Sequence, residues 1–185
     1  MIYVVSGFMR SGTSMMMECL EAGGMEVAWS QQRNWLNKHR SDDLYSPNPN
    51  GLYELEINEL ASGRYLETCR DKLVKFVVPW LRWLQKASYK TVFMLRDSEE
   101  IRQSCEASFG LRLKAEAIER RVEKALHLLR FRKDVQLQEV QYKDVLENPL
   151  SVFSALDWPI DASKAAEKVD ATKYRFRLER LTVGI

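Results

Sequence analysis

Ile2-Tyr3-Val4-Val5-Ser6-Gly7-Phe8-Met9-Arg10-Ser11-Gly12-Thr13-Ser14 runs from an apolar stretch into a glycine-bounded, hydroxyl-rich loop, and a helical pattern from Met15 to Gly24 follows at once. A strand ending in such a loop delivers backbone N–H groups and the N-terminus of the next helix to an anion of phosphate size. Residues 2–24 are therefore expected to form an anion-binding strand, loop and helix, with the N–H groups of residues 10–14 closing a concave nest. Arg10 adds a cation from inside the loop, and Ser11, Gly12, Thr13 and Ser14 complete the candidate cradle.

The loop approaches the triphosphate pattern G-x-x-x-x-G-K-[ST] without meeting it. Gly7 and Gly12 keep the separation and Ser14 keeps the last hydroxyl, but Thr13 stands where a lysine would reach the β/γ-phosphates. That argues against ordinary ATP hydrolysis.

Working outward, the chain has 185 residues, enough for one domain with an ordinary core, expected to span 1–185. Its net charge of +2 implies no strong field for a polyanion, so a nucleic-acid partner is not expected. Cys19, Cys69 and Cys105 are scattered, with no C-x-x-C spacing, and His39 and His127 stand alone, so neither a disulfide framework nor a metal site is expected. Residues 1–8 are too short for a signal-peptide core and no stretch approaches a membrane span, so the expectation is a cytoplasmic protein with no membrane partner.

A helix is predicted over 13–23, with Met15, Met16 and Met17 as core packing. Residues 28–50, with Trp29, Trp35 and His39, read as a long loop or lid ending in Ser46-Pro47-Asn48-Pro49-Asn50-Gly51. A helix is predicted over about 56–68. The apolar run 73–78, interrupted by Lys75, reads as a buried strand ended by Pro79, followed by a helix through Trp80, Leu81 and Leu84. Lys90 to Leu95 is the next strand. A helix then starts at Arg96-Asp97-Ser98, capped by Asp97 or Ser98.

After Gly110 a long helix carries Ile118, Val122, Ala125, Leu126 and Leu129 on one stripe. Val135 to Tyr142 alternates as a strand, Asn148-Pro149 opens a helix, and a short helix at about 162–170 precedes a basic tail. Strands separated by helices specify an α/β fold of three layers, with a mainly parallel sheet of about four to five strands.

Arg96 stands directly after a strand and Ser104 lies two helical turns on. Parallel strands end at one edge of their sheet, which brings this pair toward the first loop. A forked guanidinium and a hydroxyl suit a second phosphate, while a surface ion pair of Arg96 with Glu99 or Glu100 is the alternative reading.

Together these segments resemble the P-loop sulfotransferase superfamily, whose donor is 3′-phosphoadenosine 5′-phosphosulfate. Arg10-Ser11-Gly12-Thr13-Ser14 is similar to that family's 5′-phosphosulfate loop [KR]-S-G-T-[TS], and Arg96-Asp97-Ser98 with Ser104 to its 3′-phosphate motif, Ser98 replacing the usual Pro. Tyr142-Lys143-Asp144-Val145 with Pro149 is similar to the late Y-E-D-L…P segment, which implies a donor-binding role for Tyr142. The family's Lys-Thr-His segment falls on Lys75-Phe76-Val77. The resemblance implies that Lys75 stabilises the transferring sulfuryl group, with Val77 in the place of the basic His.

It also implies a metal-free P-loop fold, 3′,5′-ADP as product and a small-molecule or carbohydrate acceptor. Some members of the superfamily use a glutamate as base, which makes Glu54 the first candidate and His39 and Glu56 the reserves; Glu54 and Glu56 also suit the start of a helix. Three functions follow: a sulfotransferase, a nucleotide binder of the same fold without catalysis, and a P-loop kinase or NTPase. Trp29, Trp35, Tyr45, Tyr53, Trp80 and Trp83 would suit a site that stacks on rings or else packing.

Overall fold

The structure is a computed structural model that describes residues 1–28, 53, 55 and 57–173. Four strands form one all-parallel sheet in the order β2-β1-β3-β4: β1 Ile2–Gly7, β2 Leu73–Val77, β3 Tyr89–Leu95 and β4 Val135–Gln141. Around it lie α1 Thr13–Ala22, α2 Ile57–Ser62, α3 Tyr65–Thr68, α4 Ser98–Phe109, α5 Ala115–Arg130, α6 Tyr142–Glu147, α7 Pro149–Ser154 and α8 Ala162–Glu167. Among the described residues no helix is long and apolar enough to cross a membrane.

Both faces of the sheet are covered, so β1, β2 and β3 read as nearly continuous apolar runs. On one face Val4, Val74, Phe76 and Phe93 pack with Leu126 and Leu129 of α5 and Tyr65 of α3. On the other, Val5, Leu73, Val92 and Val140 pack with Met16, Met17 and Leu20 of α1, Phe153 of α7 and Ala165 of α8. The expected core role of the methionines holds, with Met16 and Met17 fully buried. The alternation of β4 marks its place at the sheet's end, where among the described residues it pairs with β3 alone.

Two elements differ from expectation. The helix read over 56–68 divides into α2 and α3 at Gly63, whose φ of +75° breaks the helical ladder. After β2 the chain forms a 3-10 run, Val78–Trp83, with Pro79 in its first turn rather than an α-helix. The i,i+3 eclipse of that geometry stacks Trp80 on Trp83, with ring centroids 5.0 Å apart and planes 8° from parallel. These two rings pack against each other and the core edge.

Candidate functional site

The C-terminal ends of β1, β2 and β3 lie side by side, Gly7 in register with Val77 on one flank and with Met94 on the other. The loop after β1, the Val78 turn after β2 and Arg96 after β3 therefore share one edge of the sheet, where ligands of open α/β sheets bind.

Positive φ angles set the course of the loop: +147° at Gly7, +68° at Arg10 and +95° at Gly12. A left-handed residue between negative-φ neighbours turns successive N–H groups toward a common point. Glycine is required at both ends. A Cβ on Gly7 would lie 2.5 Å from Ser11 Oγ and 2.8 Å from the Met94 carbonyl oxygen, and one on Gly12 would lie 2.3 Å from Cδ2 of the Tyr142 ring.

Among the described residues no side chain caps the N-terminus of α1, and its first turn carries no acidic residue. Its first-turn N–H groups thus retain the capacity to bind an anion. The N-terminus of α4 is closed instead, because the Asp97 carboxylate accepts from the N–H groups of Glu99 at 2.8 Å and Glu100 at 3.1 Å. Of the two capping residues the sequence allowed, the structure selects Asp97.

The loop hydroxyls do not act alike. Ser11 is fully buried with Oγ turned against Gly7, without a hydrogen-bond partner among the described residues, and Thr13 is buried with its methyl toward Gly7. Ser14 is half-buried, and its Oγ accepts from Lys75 Nζ at 3.3 Å. Lys75 sits in β2 opposite Val5, only 4% exposed. The lysine expected near the cradle is thus brought to its rim from a neighbouring strand.

Arg96, Ser104 and Tyr142 converge on the other flank of the loop. Arg10 Nε donates to Ser104 Oγ at 2.9 Å, and Arg96 Nη1 donates to the Arg10 carbonyl at 3.0 Å. Arg96 also donates from Nε to Glu100 Oε2 at 2.9 Å, and its guanidinium lies 4.8 Å from the centre of the Tyr142 ring that covers Gly12. Arg96 and Glu100 are 8% and 7% exposed, so this is an interior ion pair. Phe109, at the end of α4, lies 5.9 Å from the Arg10 guanidinium. Beneath the two arginines, burial pushes the Cys105 thiol up to about 11 although Arg10 and Arg96 pull it down.

Phe109 did not stand out in the sequence; of the two ion-pair partners the sequence offered Arg96, the structure forms the i,i+4 pair with Glu100, in the interior rather than at the surface. Glu54, the first base candidate, and its reserves His39 and Glu56 lie outside the described residues, as do Trp29, Trp35 and Tyr45. Tyr53 is buried and donates from Oη to Glu21 Oε2 of α1 at 2.8 Å; burial and then that carboxylate push its phenol above the usual range. Val77 is half-buried at the end of β2.

The site therefore carries a loop with left-handed turns, in which the Ser11 N–H expected in the nest donates instead to the Phe8 carbonyl at 3.1 Å, a helix N-terminus uncapped among the described residues, and cations on opposite flanks, Lys75 toward β2 and Arg10 toward α4. Such an arrangement can bind a ligand with two anionic groups. No protein-family model matches the chain, and no curated protein matches it.

Proposed function

We propose that the chain binds 3′-phosphoadenosine 5′-phosphosulfate and transfers its sulfuryl group to a hydroxyl or amine of a small-molecule or sugar acceptor. The observation that carries this reading is the pair of cations bracketing one loop: Lys75 on Ser14 at 3.3 Å and Arg10 on Ser104 at 2.9 Å. The motif resemblance supports it independently of geometry. A lysine-free loop, with the Thr13 side chain packed inward, favours this donor over a nucleoside triphosphate.

In this reading the loop and the N-terminus of α1 hold the 5′-phosphosulfate. Lys75 and Ser14 stand where charge builds on the sulfuryl oxygens and on the leaving phosphate as the bond between them breaks. The acceptor loses its proton to a base, with Glu54 as the candidate. Val77, an aliphatic residue in register with Gly7, favours a second reading in which the donor site is retained without turnover.

Titration calorimetry with 3′,5′-ADP in the absence of magnesium tests the donor site, and labelled donor with a panel of phenols, amines and sugars separates enzyme from binder. The expected result is stoichiometric 3′,5′-ADP binding with acceptor-dependent label transfer. Binding without transfer to any acceptor would favour the second reading.

A further inference from the structure

We propose that one flank of α5, together with the turn that follows it, is a docking surface for an anionic lipid membrane. It lies apart from the donor loop and does not depend on the donor-site reading.

Helix α5 buries Ile118, Ala125, Leu126 and Leu129, and its remaining residues divide by helical spacing into two flanks. Glu116, Glu119 and Glu123 follow one another at i, i+3 and i+7 on one flank, where Glu119 accepts from Ser98 Oγ at 2.6 Å and Arg130 pairs with Glu139. Arg121, Lys124, Leu128 and Phe131 follow at i, i+3, i+7 and i+10 on the other, with no acidic residue in the row. All four are exposed, and neither Arg121 nor Lys124 is ion-paired among the described residues. Phe131 is 75% exposed, the most of any large apolar side chain described, and Leu128 is 43% exposed. A single exposed apolar side chain is ordinary, but here two on consecutive turns continue a cationic row.

The cations extend past the helix. Arg132 donates to the carbonyls of Leu84 and Gln85, which brings Lys86 beside the turn. Lys86, Ser88, Arg132, Lys133 and Asp134 line an open cavity of about 710 Å³. Arg132 neutralises Asp134, so Lys86 and Lys133 add exposed positive charge there. Cations around two apolar tips match phosphate headgroups over an acyl layer: the charged groups meet phosphate while Leu128 and Phe131 enter the boundary. The expectation of no membrane partner rests on the absence of a spanning stretch, which contact at the surface does not need. A second copy of the chain fits this flank poorly, because a two-fold contact would set Arg121 and Lys124 against their own copies. The turn precedes β4 and Ser88 precedes β3, at the opposite end of the sheet from the donor loop, so docking leaves that loop uncovered.

Co-sedimentation tests the surface, using phosphatidylcholine vesicles with about 30 mol% phosphatidylserine against vesicles of phosphatidylcholine alone. The wild type is expected to pellet with the anionic vesicles only and to be released by added salt. Arg121→Glu with Lys124→Glu is expected to weaken the partition by about 10- to 100-fold, and Leu128→Ser with Phe131→Ser by about 10-fold. Phe131→Trp should retain it, since Trp suits the interface. All these side chains are exposed, so thermal melts close to the wild type are expected. A wild type that stays in the supernatant, or either double variant pelleting as the wild type does, overturns the proposal. Self-association in the absence of vesicles that is lost in Leu128→Ser with Phe131→Ser would also overturn it, by giving the flank to a second copy.

Discussion

Lys75 occupies a strand that is otherwise apolar and is only 4% exposed. An ammonium group persists there only where hydrogen bonds or negative charge offset its lost hydration, and its bond to Ser14 points it to the loop. Lys75→Met keeps the length and relieves the burial, so the fold is expected to survive while, on the proposed reading, sulfuryl transfer falls by about 10²- to 10³-fold. A labelled-donor assay together with a thermal melt separates the two effects, and an unchanged rate would remove Lys75 from the chemistry. A second ion pair, far from the site, contributes stability that depends on pH. Arg132 grips Asp134 through Nε–Oδ1 at 3.0 Å and Nη2–Oδ2 at 2.7 Å and also donates to the carbonyls of Leu84 and Gln85. The Arg132 guanidinium holds the Asp134 carboxyl below its usual range. The native state thus favours the ionised form: its contribution is complete above the unfolded value of about 3.9 and is lost as pH falls through the lower folded value. Urea midpoints of Asp134→Asn should lie below the wild type near neutral pH and converge with it in acid; a constant gap at all pH values would refute this account.

At the level of elements, the junctions matter more than the interiors. Asp97 closes the start of α4 with two backbone hydrogen bonds, so Asp97→Ala is expected to cost about 1 kcal/mol, read as a lower urea midpoint at constant slope. No change would show that α4 is held by packing alone. Strands β1 to β3 were legible because burial on both faces leaves an apolar run that any hydropathy reading detects. The glycine loop and the first turn of α4 were legible because caps and left-handed positions restrict residue type. The break between α2 and α3 was less so, since one glycine inside a helical pattern is often tolerated, and only the φ of Gly63 shows which outcome applies. The 3-10 run at Val78–Trp83 was missed because its apolar spacing fits a helix of either kind. The contact of Arg10 with Ser104 joins residues 94 positions apart. It depends on β1 and β3 being neighbours and on the direction of a long side chain, and sequence spacing gives only the first of these.

Taken as a whole, the molecule brings one edge of its sheet to bear on one loop. β1 lies between β2 and β3, so each neighbour can contribute a cation: Lys75 from β2 directly, and through β3 the Arg96 that seats Arg10. A net charge of +2 is small and implies no strong overall field. On the proposed reading, that division into two flanks favours a ligand with two separated anionic groups over a single phosphate or a linear triphosphate. The most direct measurement is a calorimetric titration of the wild-type protein with 3′,5′-ADP in a chelating buffer, followed by ATP with magnesium. The account predicts saturable one-to-one binding of 3′,5′-ADP without metal and much weaker binding of ATP; magnesium-dependent ATP binding with no affinity for 3′,5′-ADP would contradict it.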